Sequence, residues 1–148
     1  MPSTREIEVR VDSTPSYSSL LGLYAAVGWT AYTREEGRQD LEEAIANSNF
    51  VVTAWDGETL VGLARALSDD VAILYVQDIL VRPEYQRQGI GEQLMSACLA
   101  RYAHVRSKVL LTDDEQRQCA FYEKMGFRNT RDVTSTKLNT FVQLDGVD

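Results

Sequence analysis

Between residues 71 and 112 the chain alternates a strand, a glycine-bearing turn, a helix and a second strand, and this order limits the folds open to it most. The first strand runs from Val71 to Val81. Its stretch Ile73-Leu74-Tyr75-Val76-Gln77-Asp78-Ile79-Leu80-Val81 is rich in β-branched and aromatic residues. Ile90, Leu94, Met95, Cys98, Leu99 and Tyr102 then recur at helical spacing, up to about Ala103. Lys108-Val109-Leu110-Leu111-Thr112 is a short apolar run and reads as a central strand parallel to the first. A strand, a helix and a parallel strand form a right-handed crossover.

The turn inside this crossover is Gln86-Arg87-Gln88-Gly89-Ile90-Gly91. A helix start leaves backbone N–H groups without partners and carries the positive end of the helix dipole. Glycines at 89 and 91 remove the Cβ atoms that would keep an anion from those groups. The functional reading is a pyrophosphate cradle, and a tight strand-to-helix turn explains the two glycines equally well. The spacing matches neither the three-glycine dinucleotide fingerprint nor the P-loop.

Before this crossover, Glu6 to Val11 alternates polar and apolar residues, as a strand with one buried face does. Ser13 or Thr14 is expected to cap a helix with Pro15 in its first turn; Leu20, Leu21, Tyr24 and Val27 point inward and Gly28 ends it. Thr33-Arg34-Glu35-Glu36 is a capping-box pattern opening a second helix that packs through Leu41, Ala44 and Ile45. Phe50–Trp55, Asp56-Gly57 and Thr59–Leu67 form a hairpin pattern. After it, Glu115 to Met125 reads as a further helix ended by Gly126, and the tail from Phe127 to Leu144 as two more strands. The expected fold class is α/β: a mixed sheet, mostly antiparallel with a central parallel pair, of about six to seven strands with about four helices on both faces. One domain is expected across residues 1–148.

A net charge of −7 argues against broad nucleic-acid or anionic-membrane binding, though Arg82 and Arg87 flank the turn. It mildly favours cationic partners such as amines. Cys98 and Cys119 lack metal-ligand spacing and read as reduced thiols of a cytoplasmic protein. The one histidine, His104, near a helix C-terminus, makes a histidine metal site or triad unexpected. No metal is expected. The N-terminus shows no apolar signal region and no run approaches membrane-spanning length.

Two motifs in this order resemble the GNAT superfamily of N-acetyltransferases. Ile79-Leu80-Val81-Arg82-Pro83-Glu84-Tyr85-Gln86-Arg87-Gln88-Gly89-Ile90-Gly91-Glu92-Gln93-Leu94-Met95 is similar to the family's acetyl-CoA motif. Ala120-Phe121-Tyr122-Glu123-Lys124-Met125-Gly126-Phe127 is similar to its second motif. The resemblance implies acetyl-CoA as acetyl donor, its pyrophosphate on main-chain N–H groups among Gln86, Arg87, Gln88, Gly89, Ile90, Gly91 and Glu92. It also implies a bulge in the preceding strand and a pantetheine arm lying as a pseudo-strand along Ile79, Leu80 and Val81, near the main-chain groups of Ile79 and Val81. A backbone N–H there would polarise the thioester carbonyl. Tyr122 matches the motif tyrosine that protonates the departing thiolate; without the motif it reads as a core aromatic beside Phe121. Glu115 stands where many members carry an asparagine. No carboxylate stands at Tyr75, where members with a strand glutamate carry their base.

The implied reaction is direct acetyl transfer from acetyl-CoA to a primary amine of a small molecule, peptide or protein. The alternative is a catalytically silent acyl-CoA-binding sensor or interaction module. Asp78 is the candidate base, acting through water, with a structural carboxylate as the competing reading. Trp29, Tyr32, Arg65, Tyr75 and Gln77 are candidate acceptor-lining residues. Trp29 and Tyr32 would wall a cation, and Arg65 would grip a carboxylate or reach solvent. Only one of Gln77 and Asp78 can face the acceptor. A homodimer paired through the tail strands is a further expectation.

Overall fold

A computed structural model describes residues 6–29 and 37–147. The chain divides after Leu111 into two compact units. In the first, β1 (Ile7–Val11), β2 (Phe50–Asp56), β3 (Thr59–Ser68) and β4 (Ile73–Val81) pair antiparallel in succession, and β5 (Ser107–Leu110) lies parallel to β4. The spatial order of the five strands is therefore their chain order. Helices α1 (Tyr17–Ala26) and α2 (Arg38–Ala46) precede β2, and α3 (Ile90–Arg101) makes the predicted crossover to β5. The second unit contains α4 (Gln116–Lys124) and a 3-10 turn at Thr130–Asp132.

β2 and most of β3 are buried because both faces of the sheet are covered. Leu20, Leu23 and Tyr24 of α1 and Leu41 and Ile45 of α2 pack with Val51, Trp55, Leu60, Leu63 and Leu80. Gly62 neighbours Leu63 and therefore faces the other side, where α3 presses closely. A Cβ at Gly62 would stand 3.1 Å from Leu94 Cδ1 and 3.3 Å from Ile90 Cγ2.

Several boundaries differ from the sequence reading. Ser16 caps α1, accepting from the Ser19 N–H at 3.2 Å, so Pro15 precedes the helix instead of opening it. The Thr33–Glu36 capping box and Tyr32 lie outside the described residues. The hairpin turns on Gly57 and Glu58, since Asp56 still pairs with Thr59; the positive φ of 60° falls on Gly57. The tail carries no strand among the described residues, and β5 ends the sheet instead of lying inside it. A strand needs a partner edge to bond and a face to bury. Here Leu138, Phe141, Val142 and Leu144 stay exposed, Phe141 at 90 %.

Candidate functional site

The end of β4 is fastened to β3 before the turn begins. The Arg82 N–H donates to the Val61 carbonyl and Arg82 Nε to the Leu60 carbonyl, both at 2.8 Å. The guanidinium reaches α1, where a Cβ at Gly22 would meet Arg82 Nη2 at 3.0 Å. Arg82 is thus spent on the scaffold, whereas Arg87 is exposed. Pro83–Tyr85 then form a 3-10 turn. The largely buried Tyr85 donates its hydroxyl to Asp56 Oδ2 at 2.5 Å, pinning the turn to the β2–β3 hairpin. Gln86 Nε2 donates back to the Val81 carbonyl at 3.0 Å, and Gln88 Nε2 to the Glu84 carbonyl at 3.4 Å.

Two left-handed residues shape the entry into α3: Arg87 at φ 63° and Gly89 at φ 80°. Gly89 caps α3 without any side-chain bond, and no atom lies within 4 Å of where its Cβ would be. The space there is open, so conformation and clearance, not packing, require glycine. Gly91 lies within the first turn of α3, where no positive φ is needed. The first intrahelical bond runs from Gln93 N–H to the Gly89 carbonyl at 3.1 Å. The N–H groups of Ile90 and Gly91 therefore have no acceptor within the helix. They sit at its positive dipole end. Glu92 is exposed in the same turn.

β4 itself has two regimes. It pairs with β5 from Ile73↔Ser107 to Val76↔Leu110, and then runs on to Val81. On the β3 side the register shifts: Arg65 faces Asp78 but Ala66 faces Val76, so Gln77 is an extra residue and β4 bulges there. Beyond the bulge, antiparallel pairing alternates. Since the Arg82 N–H points at Val61, the main-chain groups of Leu80 also point at β3. Those of Ile79 and Val81 point to the opposite edge, which β5 no longer covers. Leu80 therefore serves the core, at 4 % exposure, rather than that edge.

Asp78 and Arg65 are buried against each other. Arg65 Nε donates to Asp78 Oδ2 at 2.5 Å, and the residues are 6 % and 4 % exposed, Arg65 first. Tyr24 of α1 donates its hydroxyl to the same oxygen at 2.9 Å. Burial, and then the Asp78 charge, push the Tyr24 phenol well above its ordinary value. Arg65 Nη1 also donates to Ser48 Oγ at 3.3 Å and the Ala44 carbonyl at 3.5 Å, at the end of α2. Arg65 thus neither reaches solvent nor holds its guanidinium open for a carboxylate. Of the neighbours on β4, Gln77 is exposed and Tyr75 half-buried. Trp29 is 39 % exposed and stands edge-on to Tyr24, ring centroids 5.8 Å apart.

In the second unit, Tyr122 lies on α4 with its ring edge-on to Phe121 at 5.2 Å and to Phe127 at 6.2 Å. Burial raises its phenol pKa, and a hydrogen bond with Thr112 opposes the rise. Thr112 in turn donates to Gln118 Oε1. Cys119 is half-buried on the same helix, and the buried Cys98 thiol is pushed up to about 12 by desolvation. His104 Nε2 lies 2.9 Å from Asp70 Oδ1 on the surface. Among the described residues, no helix is long and apolar enough to cross a membrane.

Sequence reasoning missed Tyr85 with Asp56, and Tyr24 with Asp78. The signal was present in part: a tyrosine on a buried helix face brings a hydroxyl that needs a partner. Which residue answers it depends on strand register.

Known proteins share this fold. A family model described as an acetyltransferase (GNAT) domain matches residues 20–144. The solved structure of a GNAT-family acetyltransferase from Streptococcus pneumoniae TIGR4 is 32% identical with a TM-score of 0.77, covering 95% of this chain and 99% of that one. An aminoglycoside N-acetyltransferase solved in complex with CoA shares the fold at a TM-score of 0.69 and 16% identity, over 98% of this chain and 99% of its own. A chloroplastic GCN5-related N-acetyltransferase of Arabidopsis thaliana is 33% identical over 132 residues, 73% of this chain. The chain spans about half the length of the curated relatives it matches, 48% in that case and 56% for an N-acetyltransferase of Gracilaria tenuistipitata.

Proposed function

The chain belongs to the GNAT acetyltransferase family, and from that premise we propose that it moves the acetyl group of acetyl-CoA directly to a primary amine, as a single acetyltransferase domain. The observation that carries this reading is the open stretch of β4. The five residues from the bulge at Gln77 to Val81 have no partner on β5, and the chain then turns through Pro83–Tyr85 into α3 at the left-handed Gly89. An extended pantetheine arm can add there as a strand, bonding Ile79 and Val81. The turn from Gln86 to Glu92 then holds the pyrophosphate with main-chain N–H groups.

A neutral amine attacks the thioester carbonyl, and a backbone N–H of β4 steadies the oxygen as it gains charge. The C–S bond breaks as the tetrahedral adduct collapses, and Tyr122 gives its proton to the thiolate. The phenol suits this step because burial keeps it protonated at neutral pH. Asp78 serves poorly as base, because Arg65 and Tyr24 already occupy one carboxylate oxygen. The amine proton leaves through water instead, and proximity supplies much of the rate. A covalent route through Cys119 lacks an activating base. Trp29 and Gln77, both exposed, and the half-buried Tyr75 line the acceptor side. The charge of −7 favours a cationic amine, of a small molecule or a peptide. Two free thiols suit a reducing compartment such as the cytoplasm.

The test is a turnover assay that detects free CoA thiol across small amines, polyamines, amino acids, aminoglycosides and peptide N-termini, with CoA affinity measured by calorimetry. Acetyl transfer to at least one amine class is expected. CoA binding with no turnover on any amine would make the chain an acyl-CoA-binding module, and absence of CoA binding would refute the reading.

A further inference from the structure

We propose that the buried Arg65–Asp78 pair with Tyr24 is a positioning device: it locks the β4 bulge in register, and so decides which main-chain groups of β4 face the open edge. The inference rests on the acetyl-transfer reading for its purpose, but its geometry stands by itself.

The pair sits at the register shift, on the last residues that face each other before the extra residue Gln77. It also gathers neighbouring elements at that point. Tyr24 brings α1, Ser48 and the Ala44 carbonyl bring the end of α2, and the two charged residues bring β3 and β4. A buried ion pair is a poor source of stability, since an apolar pair of similar volume often serves as well or better. Its directional bonds do specify one arrangement.

The alternative it excludes is a flat β4. Without the bulge, Gln77 would face Arg65, Ile79 would face Leu63 and Val81 would face Val61. A one-residue slip exchanges the two edges of a strand as well as its two faces. Ile79 and Val81 would then spend their main-chain groups on β3, and Leu80 would be left at the open edge. Asp78 would turn to the other face of the sheet, away from Tyr24 and Arg65. The ion pair can therefore form only in the bulged register, the one that turns the N–H groups of Ile79 and Val81 to the open edge.

The experiment compares the parent with Asp78→Asn, Tyr24→Phe and the double variant Arg65→Met with Asp78→Leu. Amide hydrogen exchange is followed at residues 79–82, with CoA affinity and the pH–rate profile alongside. In the parent, Leu80 and Arg82 should be protected and Ile79 and Val81 should exchange faster. The double variant keeps an apolar contact and should remain folded. In it, Ile79 and Val81 should gain at least tenfold protection relative to Leu80, and CoA affinity should fall at least tenfold. Tyr24→Phe, which keeps the ring, should move both readouts the same way by less. Asp78→Asn should lower turnover yet keep the acidic limb of the profile. A double variant with parental Tm and parental exchange pattern would overturn the inference, as would an Asp78→Asn variant of parental Tm that loses its acidic limb. Should the double variant fail to fold, an unchanged pattern in Tyr24→Phe and Asp78→Asn alike would overturn it too. If the parent failed to bind CoA, the acetyl-transfer reading would fall while the exchange pattern still judged the lock.

Discussion

Gly89→Ala, set beside Gly28→Ala, separates backbone strain from coenzyme binding. The two glycines have nearly equal angles, φ 80° and 79°, and neither has an atom within 4 Å of its would-be Cβ. Each substitution therefore meets the same obstacle, an L-residue in the left-handed region, at about 1–2 kcal/mol. For a chain of this size that is a Tm loss of roughly 2–8 °C. Only Gly89 caps α3, where the Ile90 and Gly91 N–H groups emerge. A methyl group there occupies the clearance a phosphate needs. It also tends to relax the turn, so that one charge-assisted N–H bond is lost, a loss of about 1.5–3 kcal/mol. At about 1.4 kcal/mol per decade, CoA affinity should fall about tenfold to a hundredfold. Calorimetric titration of CoA into both variants, with thermal melts, makes the measurement. Gly28→Ala should lose the Tm and keep the affinity. If Gly89→Ala loses the same Tm yet binds CoA as the parent does, the turn is no pyrophosphate cradle.

Tyr122→Phe should lower kcat while leaving CoA affinity within about twofold, since the proton donor goes and the ring stays. Because burial raises the phenol above 10.0, the neutral donor persists through the working range; the alkaline limb it causes should lie above that value and vanish in the variant. Parental kcat under chemistry-limited conditions would return Tyr122 to a packing role. Tyr85→Phe removes the bond to Asp56 at the root of the turn and should raise KM for acetyl-CoA about three- to tenfold with kcat nearly kept, a shift of order 1 kcal/mol. Steady-state kinetics with varied acetyl-CoA decides it, and an unchanged KM would show the turn is held without that bond.

How much of the molecule is legible in its sequence depends on the range of the interactions involved. Local chemistry marked the elements themselves. Glycines at 28, 57, 89 and 126 take positive φ where helices or strands begin or end. The periodic Ile90, Leu94, Met95 and Cys98 are buried on α3 as their spacing required. The parallel crossover from β4 to β5 followed from order alone, because a helix between two strands leaves little else. Pairing was another matter. The tail reads as two strands in the sequence, but composition cannot supply an edge to bond, and the tail forms no strand among the described residues.

The site divides along the same line. The turn at Gly89 is built by residues adjacent in sequence, so the glycine turn and the helix start behind it were readable from the sequence. Asp78 lies 13 residues from Arg65 and 54 from Tyr24, and only the fold brings the three together. From sequence Asp78 was as good a base as a strut. The sequence by itself determined the elements, the turn and the family, through angles and periodicities that neighbours impose on each other. Tertiary structure decided the bulge at Gln77, the partner of each buried charge and which edge of β4 stays open. Those depend on register, a property of two strands that neither carries alone.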